Sequence, residues 1–203
     1  MYELINLNTE RVLSEISLGF VEQYERLFRN KTSAQIHTEE YRKDYRDFWG
    51  MNQARLSASF YEVYFRSLGD SIAQTPTLAV VIAQLYEAST RGNGQRIVPF
   101  SFATKLMHMA NRQLPIYDSH VAEFYFFEPP TDSDYQVRIA ALTNFYEYLI
   151  EEYARVLNDG LLTTSIERFR REYSGESWTD EKIIDSLIWA FVRCLHSRQI
   201  VYH

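Results

Sequence analysis

The sequence predicts an all-α fold, and three observations predict it. Apolar residues recur at steps of three and four almost from end to end, the spacing that gathers them on one face of a helix. No segment alternates convincingly between apolar and polar residues as a half-buried strand does. Only seven Gly and five Pro are spread over 203 residues, little material for the many turns of a sandwich or barrel. A chain of this length is most simply one domain that buries roughly 70% of its unfolded surface. Roughly seven to nine helices fill it, with two helical lobes around a cleft at residues 98–121 as the variant arrangement.

The first helix starts from Asn8 or Thr9 and carries Val12, Leu13, Ile16, Phe20, Tyr24, Leu27 and Phe28 inward, fraying near Asn30. Residues 30–37 are polar and read as a loop. Thr38 caps a long second helix, with Glu39 and Glu40 near its positive end. Tyr41, Tyr45, Phe48, Asn52, Leu56, Phe60 and Val63 keep its period, Gly50 is a point of bending or interruption, and Leu68-Gly69-Asp70 reads as its end. Its outer face carries Arg42, Lys43, Arg46, Arg55 and Arg66 among several acids, either a solvated face or a ridge for phosphates.

Thr75-Pro76 is a helix start, a capping hydroxyl followed by proline at the first helical position. The apolar run Leu78–Tyr86 reads as a buried central helix that ends at Arg91-Gly92-Asn93-Gly94. That glycine-flanked stretch is either a C-cap running into a turn or a backbone nest for a phosphate. After Glu128-Pro129-Pro130-Thr131-Asp132 breaks the chain, Ser133 or Asp134 restarts a long helix ending at Asn158-Asp159-Gly160. A shorter helix holds Ile166 and Phe169. Trp178-Thr179-Asp180-Glu181 opens the last one, whose apolar side is Ile183, Ile184, Leu187, Ile188, Phe191 and Leu195.

Formal charge is −6, which disfavours a broad nucleic-acid or membrane footprint while leaving room for a local basic cleft. Cys194 is the single cysteine, so no internal disulfide and no cysteine-only zinc site can form. No apolar run reaches membrane-spanning length and the N-terminus lacks a secretory pattern; a cytoplasmic protein is expected. The five histidines show no metal-ligand spacing, and no phosphate-binding loop or nucleophile elbow is present.

Chemistry concentrates in Phe100–Ala110 and the following Leu114–Val121. Lys105 is expected in the first turn of a short apolar helix, where burial and the helix dipole favour a neutral, nucleophilic amine. Asp118 follows the extended Pro115-Ile116-Tyr117 and opens a helix over 119–127. The plain alternative is an Asp N-cap beside a solvated lysine.

Thr104-Lys105 opening a helix, followed by Pro115-Ile116-Tyr117-Asp118-Ser119-His120-Val121, resembles the core of the helix-hairpin-helix DNA glycosylases, closest to the 8-oxoguanine glycosylase branch and its bacterial fold relatives. Ile184-Asp185-Ser186-Leu187-Ile188-Trp189 also fits bacterial proteins of this fold. The resemblance covers the centre of the chain and extends to the rest only in its helical character. It implies a DNA partner and catalysis without metal or organic cofactor. Lys105 would be the Schiff-base nucleophile and Asp118 the carboxylate that assists attack and stabilises an oxocarbenium-like sugar. The target base must leave the stack for an aromatic pocket, for which Trp49, Tyr117 and Trp189 are candidates. Ser101, Arg112, Arg91 and Arg96 would meet phosphates, and His120 would join the DNA-binding set, orient the acid or bond to backbone. The chain departs from the family in reading Val98-Pro99-Phe100-Ser101-Phe102, without the glycines of the usual hairpin, and in a short Lys-to-Asp interval of 13 residues (118 − 105). The absence of four cysteines excludes the iron–sulfur subgroup. A non-catalytic helical module for DNA or protein interaction, in phage defence or regulation, is the alternative. A purely structural helical oligomer is a third, suggested by the aromatic richness alone.

Overall fold

The computed structural model describes residues 1–74, 76–89 and 96–202. Among them it contains eleven α-helices, one 3-10 helix and no β-strand, so the chain is all-α. The Arg91–Gly94 stretch and Thr75 lie outside the described residues. Two compact units divide the chain. The first joins residues 1–22 to 112–203, and the second is the intervening 23–111.

The helix count exceeds the expected seven to nine because a helix precedes the expected start at Asn8 or Thr9 and because two stretches that look continuous in sequence are broken. The N-terminal region forms α1 (Tyr2–Leu7), α2 (Thr9–Ser14) and α3 (Leu18–Arg29). Asn8 caps neither neighbour with its side chain; its amide donates to the carbonyls of Leu4 and Val201, and its oxygen accepts from the Val201 N–H. Ser17 accepts from the Phe20 N–H and opens α3 afresh, as a hydroxyl ahead of a helix does.

The second break falls at Gly50. Thr38 caps α4 (Glu39–Phe48), its hydroxyl accepting from the Tyr41 N–H as expected. Gly50 then turns left-handed at φ 63°, a 3-10 turn covers Met51–Ala54, and Arg55 is left-handed at φ 52°. Ser57 caps α5 (Ala58–Ala73) through the Phe60 N–H, so that helix runs past Leu68-Gly69-Asp70 rather than ending there.

The cap of α6 (Leu78–Ala88) is Thr77, accepting from the Val80 N–H, so the helix starts later than the expected first helical position at Pro76. Nor is α6 a buried central helix. Only Val81, Ile82 and Leu85 are buried, and Val80 is 48% exposed. It packs through one face on α5 and on α7 (Phe100–Ala110), which together with α4 build the second unit. The centre of that unit is aromatic. The Tyr45 and Tyr64 hydroxyls are 2.8 Å apart and Tyr64 donates to the Phe102 carbonyl, while Tyr24 meets His108 Nε2 at 2.8 Å.

In the first unit the buried central helix is the last one. The remaining helices are α8 (Ser119–Phe124), α9 (Tyr135–Asn158), α10 (Thr163–Glu172) and α11 (Asp180–His196). Helix α11 packs on α2, α8, α9 and α10 and buries every residue from Lys182 to Ile188. Asp134 and Thr179 cap α9 and α11 as the sequence predicts. No described helix is long and apolar enough to cross a membrane.

Candidate active site

Helix α7 starts at Phe100 and makes Lys105 its sixth residue. This corrects the expectation of a first-turn lysine: the dipole argument applies within the first turn and does not reach Lys105. What surrounds the amine instead is half-buried and aromatic. Nζ donates to the Trp49 carbonyl at 3.1 Å and lies 5.7 Å from the Phe102 ring centroid. Ala103, Thr104, Leu106 and Met107 around it are buried, as the apolar face of α7 requires. Ser101 is half-buried in the opening turn, its carbonyl accepting from the Thr104 hydroxyl. Trp49, 8% exposed, packs edge-on against Phe48. Lys105 and Trp49 are thus brought together in the second unit, through the Trp49 backbone carbonyl.

Asp118, in the first unit, is the N-cap of α8. Its Oδ1 accepts from the Val121 N–H at 2.9 Å, and Oδ2 has no hydrogen-bond partner among the described residues. The segment before it is pinned by Tyr146, whose hydroxyl donates to the Pro115 carbonyl at 2.9 Å. Tyr117 is 8% exposed, with its ring edge-on to Phe127 and Phe145. Burial, and after it the charge of Asp118, push its phenol up to about 12. Helix α8 ends at Phe124, short of the expected Phe127, and Phe126 takes a left-handed φ of 55°.

Other candidates in the first unit group differently from the sequence expectation. His120 lies 6.0 Å from the Trp189 ring, and Trp189 is stacked on Phe20 and covered by the Arg193 guanidinium at 4.8 Å. His120 and Trp189 are therefore neighbours, while Tyr117 belongs to the Phe127–Phe145 cluster. Arg112 donates to the Glu176 carbonyl at 3.2 Å, and its own carbonyl accepts from the Thr179 hydroxyl at 2.9 Å, which ties it to the start of α11. In the second unit Arg96 pairs with Glu87 at 3.4 Å, and Arg91 lies outside the described residues. Along α4, Arg42 pairs with Glu62, Arg46 with Glu39 and Lys43 with Asp47. All three cations are neutralised by carboxylates, but only Lys43 is solvated: Arg42 and Arg46 are 15% and 23% exposed and lie over the rings of Phe65 and Tyr61.

Sequence reading missed the most deeply buried charges. Lys182 Nζ and Asp185 Oδ2 are 2.6 Å apart, with side chains 4% and 8% exposed. The ammonium is also 5.9 Å from the rings of both Phe20 and Trp178. Around Asp185 stand two tyrosines of α9: its negative charge acts, after burial, to raise the phenols of Tyr146 and Tyr153. Asp118 acts on Tyr153 in the same direction. Tyr153 Oη and Ser186 Oγ are buried without a hydrogen-bond partner among the described residues. A legible signal existed: Lys182 and Asp185 interrupt, three residues apart, the otherwise apolar side of α11.

No group of three or more His, Cys, Asp and Glu able to hold a metal occurs among the described residues. No protein-family model, curated protein or solved structure matches this chain.

Proposed function

We propose that the chain is a DNA N-glycosylase, with or without abasic-site lyase activity, in which Asp118 and Lys105 act on the sugar of a modified or damaged nucleotide. The observation that carries this reading is the state of the Asp118 carboxylate. One oxygen is committed to the Val121 N–H and fixes the group in place; the other takes no hydrogen bond among the described residues. A positioned, half-buried carboxylate is what stabilises the positive charge that grows on a sugar as its base departs. Lys105 supplies an amine in aromatic surroundings, held by a neutral carbonyl. In the proposed step the amine attacks the anomeric carbon while the carbon–nitrogen bond to the base breaks and the base leaves carrying the electron pair. Loss of the amine proton and opening of the sugar ring then give an imine.

Borohydride trapping on DNA containing an abasic site or a modified base tests this. The expected result is a stable covalent adduct that disappears in Lys105→Ala. Absence of an adduct, together with unchanged cleavage by Lys105→Ala, would refute the nucleophile. Base release without trapping assigns attack to water and leaves Asp118 as the acting group.

A second reading is a non-catalytic helical interaction module. It is favoured by the capping role of Asp118, which matches the caps at Thr38, Ser57, Thr77, Asp134 and Thr179 and by itself accounts for the residue. A gel shift at low salt separates the two readings: failure to bind any single- or double-stranded DNA supports the module.

A further inference from the structure

The first unit contains a cavity of about 610 Å³ lined by residues 6–11 of α1 and α2 and by Thr164, Arg168 and Arg171 of α10. None of these residues belongs to the site above. The volume is that of a small-molecule site, which commonly runs roughly 300–1,000 Å³.

In the floor of this cavity Asn6 and Thr9 are tied by hydrogen bonds to Ser165 and Leu161 behind them. Thr9 Oγ1 and Ser165 Oγ are 2.8 Å apart and buried, and Ser165 donates to Asn6 Oδ1 at 2.8 Å. The Asn6 amide donates in turn to the Leu161 carbonyl. Buried groups satisfied in this way hold the walls rigid, so a ligand meets a preformed surface. The rim is cationic. Arg168 and Arg171 are three residues apart on one face of α10 and Thr164 is four before Arg168, so the lined stripe is roughly 10 Å long at 1.5 Å per residue. Arg11 faces the same cavity from α2.

The charges are unevenly neutralised. Arg168 is paired with Glu10, Nη2 donating to Oε2 at 3.2 Å, and lies 3.8 Å from Glu172. Arg11 has a neutral hydrogen-bond acceptor in Asn8 Oδ1 at 3.4 Å. Arg171 makes neither an ion pair nor a hydrogen bond among the described residues. Three guanidiniums against Glu10 alone on the cavity wall is a local excess of positive charge on a chain whose net charge is −6. Guanidinium forks match the paired oxygens of a phosphate, and a rigid concave wall concentrates their field.

We infer that this cavity binds an anionic, phosphate-bearing small molecule, with Arg171 and Arg11 gripping the phosphate and Arg168, held by Glu10, completing the cradle. The inference is independent of the glycosylase reading, since it uses neither Lys105 nor Asp118. The test is calorimetric titration of the full chain at low salt with inorganic phosphate, pyrophosphate, adenosine 5′-monophosphate, adenosine and a short single-stranded oligonucleotide. Saturable binding of a phosphate compound, absent for adenosine and weakened by roughly ten-fold or more in Arg171→Ala and in Arg11→Ala, is the expected result. Both arginines are exposed and outside the hydrogen-bonded floor, so unchanged melting temperatures will show that the variants fold. No saturable binding of any phosphate compound, or binding that both variants leave unaltered, overturns the inference. Binding of the oligonucleotide alone overturns the small-molecule assignment.

Discussion

Replacing Lys182 by Met removes one charge of the buried pair while keeping most of the side chain's length. At 2.6 Å the attraction is about 6 kcal/mol for an effective dielectric near 20. Desolvation of the two ions cancels much of this, so the pair adds little net stability while both members are present. Taking away the amine alone is a different perturbation, because the Asp185 carboxylate stays where it is with side-chain exposure of 8%. That orphaned charge costs about 3–5 kcal/mol, or roughly 6–20 °C in melting temperature for a chain of this size. Urea denaturation followed by tryptophan fluorescence measures it. Trp178, 5.9 Å from the amine, reports from within the same unit. Lys182→Met/Asp185→Asn removes both charges and should recover a good part of the loss, giving a coupling energy of at least about 2 kcal/mol between the two positions. A loss below about 1 kcal/mol in Lys182→Met, or single losses that simply add in the double variant, would refute the buried, mutually compensating pair.

Asp118→Asn should keep the cap of α8, because an amide oxygen accepts the Val121 N–H as a carboxylate does, whereas Asp118→Ala costs about 1 kcal/mol. On the glycosylase reading both variants lose base release by at least about 100-fold, so activity in Asp118→Asn near that of the unaltered protein would reduce the residue to a cap. Gly50→Ala and Gly160→Ala both force a left-handed backbone, at φ 63° and 66°, at a cost of about 1–2 kcal/mol. Gly160→Ala should be the worse in denaturant melts, because its added carbon would sit 3.0 Å from Thr163 Oγ1 while that of Gly50 meets nothing within 4 Å; the reverse order would contradict the geometry. Tyr117 links stability to alkaline pH. Its phenol is raised from 10.0 to about 12, so the folded chain holds a proton that the unfolded chain releases from pH 10 upward. Its contribution is intact below pH 10 and lost between pH 10 and about 12. Tyrosinate absorbance in Tyr117→Phe against the parent isolates it, and an unchanged titration above pH 10 would refute the burial.

Much of the helical framework was legible because it is decided locally. Thr38, Asp118, Asp134 and Thr179 stand immediately before apolar-periodic runs, and each proves to be a cap whose oxygen takes an N–H two or three residues on. The errors arose where a local signal was read at the wrong residue or pressed too far. Thr75-Pro76 reads as a start, and the observed cap of α6 is the Thr77 hydroxyl, which takes the N–H of Val80. Gly50 was visible as a weak point in a long apolar period, but a period alone does not say whether a helix bends or stops. Leu78–Tyr86 looked buried because it is apolar nearly all round, yet it buries one face through Val81, Ile82 and Leu85 while Val80 is exposed, and in the first unit α11 is the buried central helix.

The candidate site divides along the same line. The residue types, the proline-stiffened approach to Asp118 and its position ahead of α8 follow from the chain itself, because they depend on neighbours a few residues away. Helix α7 was legible as well, but its start at Phe100 was not, and that moved Lys105 out of the first turn. Packing alone decided the burial of the Lys182–Asp185 pair, the carbonyl of Trp49 on the Lys105 amine, and the arginine-rimmed cavity joining residues 6–11 to 164–171. The three-residue spacing of the pair is local, but its burial, like the other two meetings, depends on how whole helices cover one another, and burial sets the worth of a charge, since the same lysine and aspartate in water would attract one another only weakly.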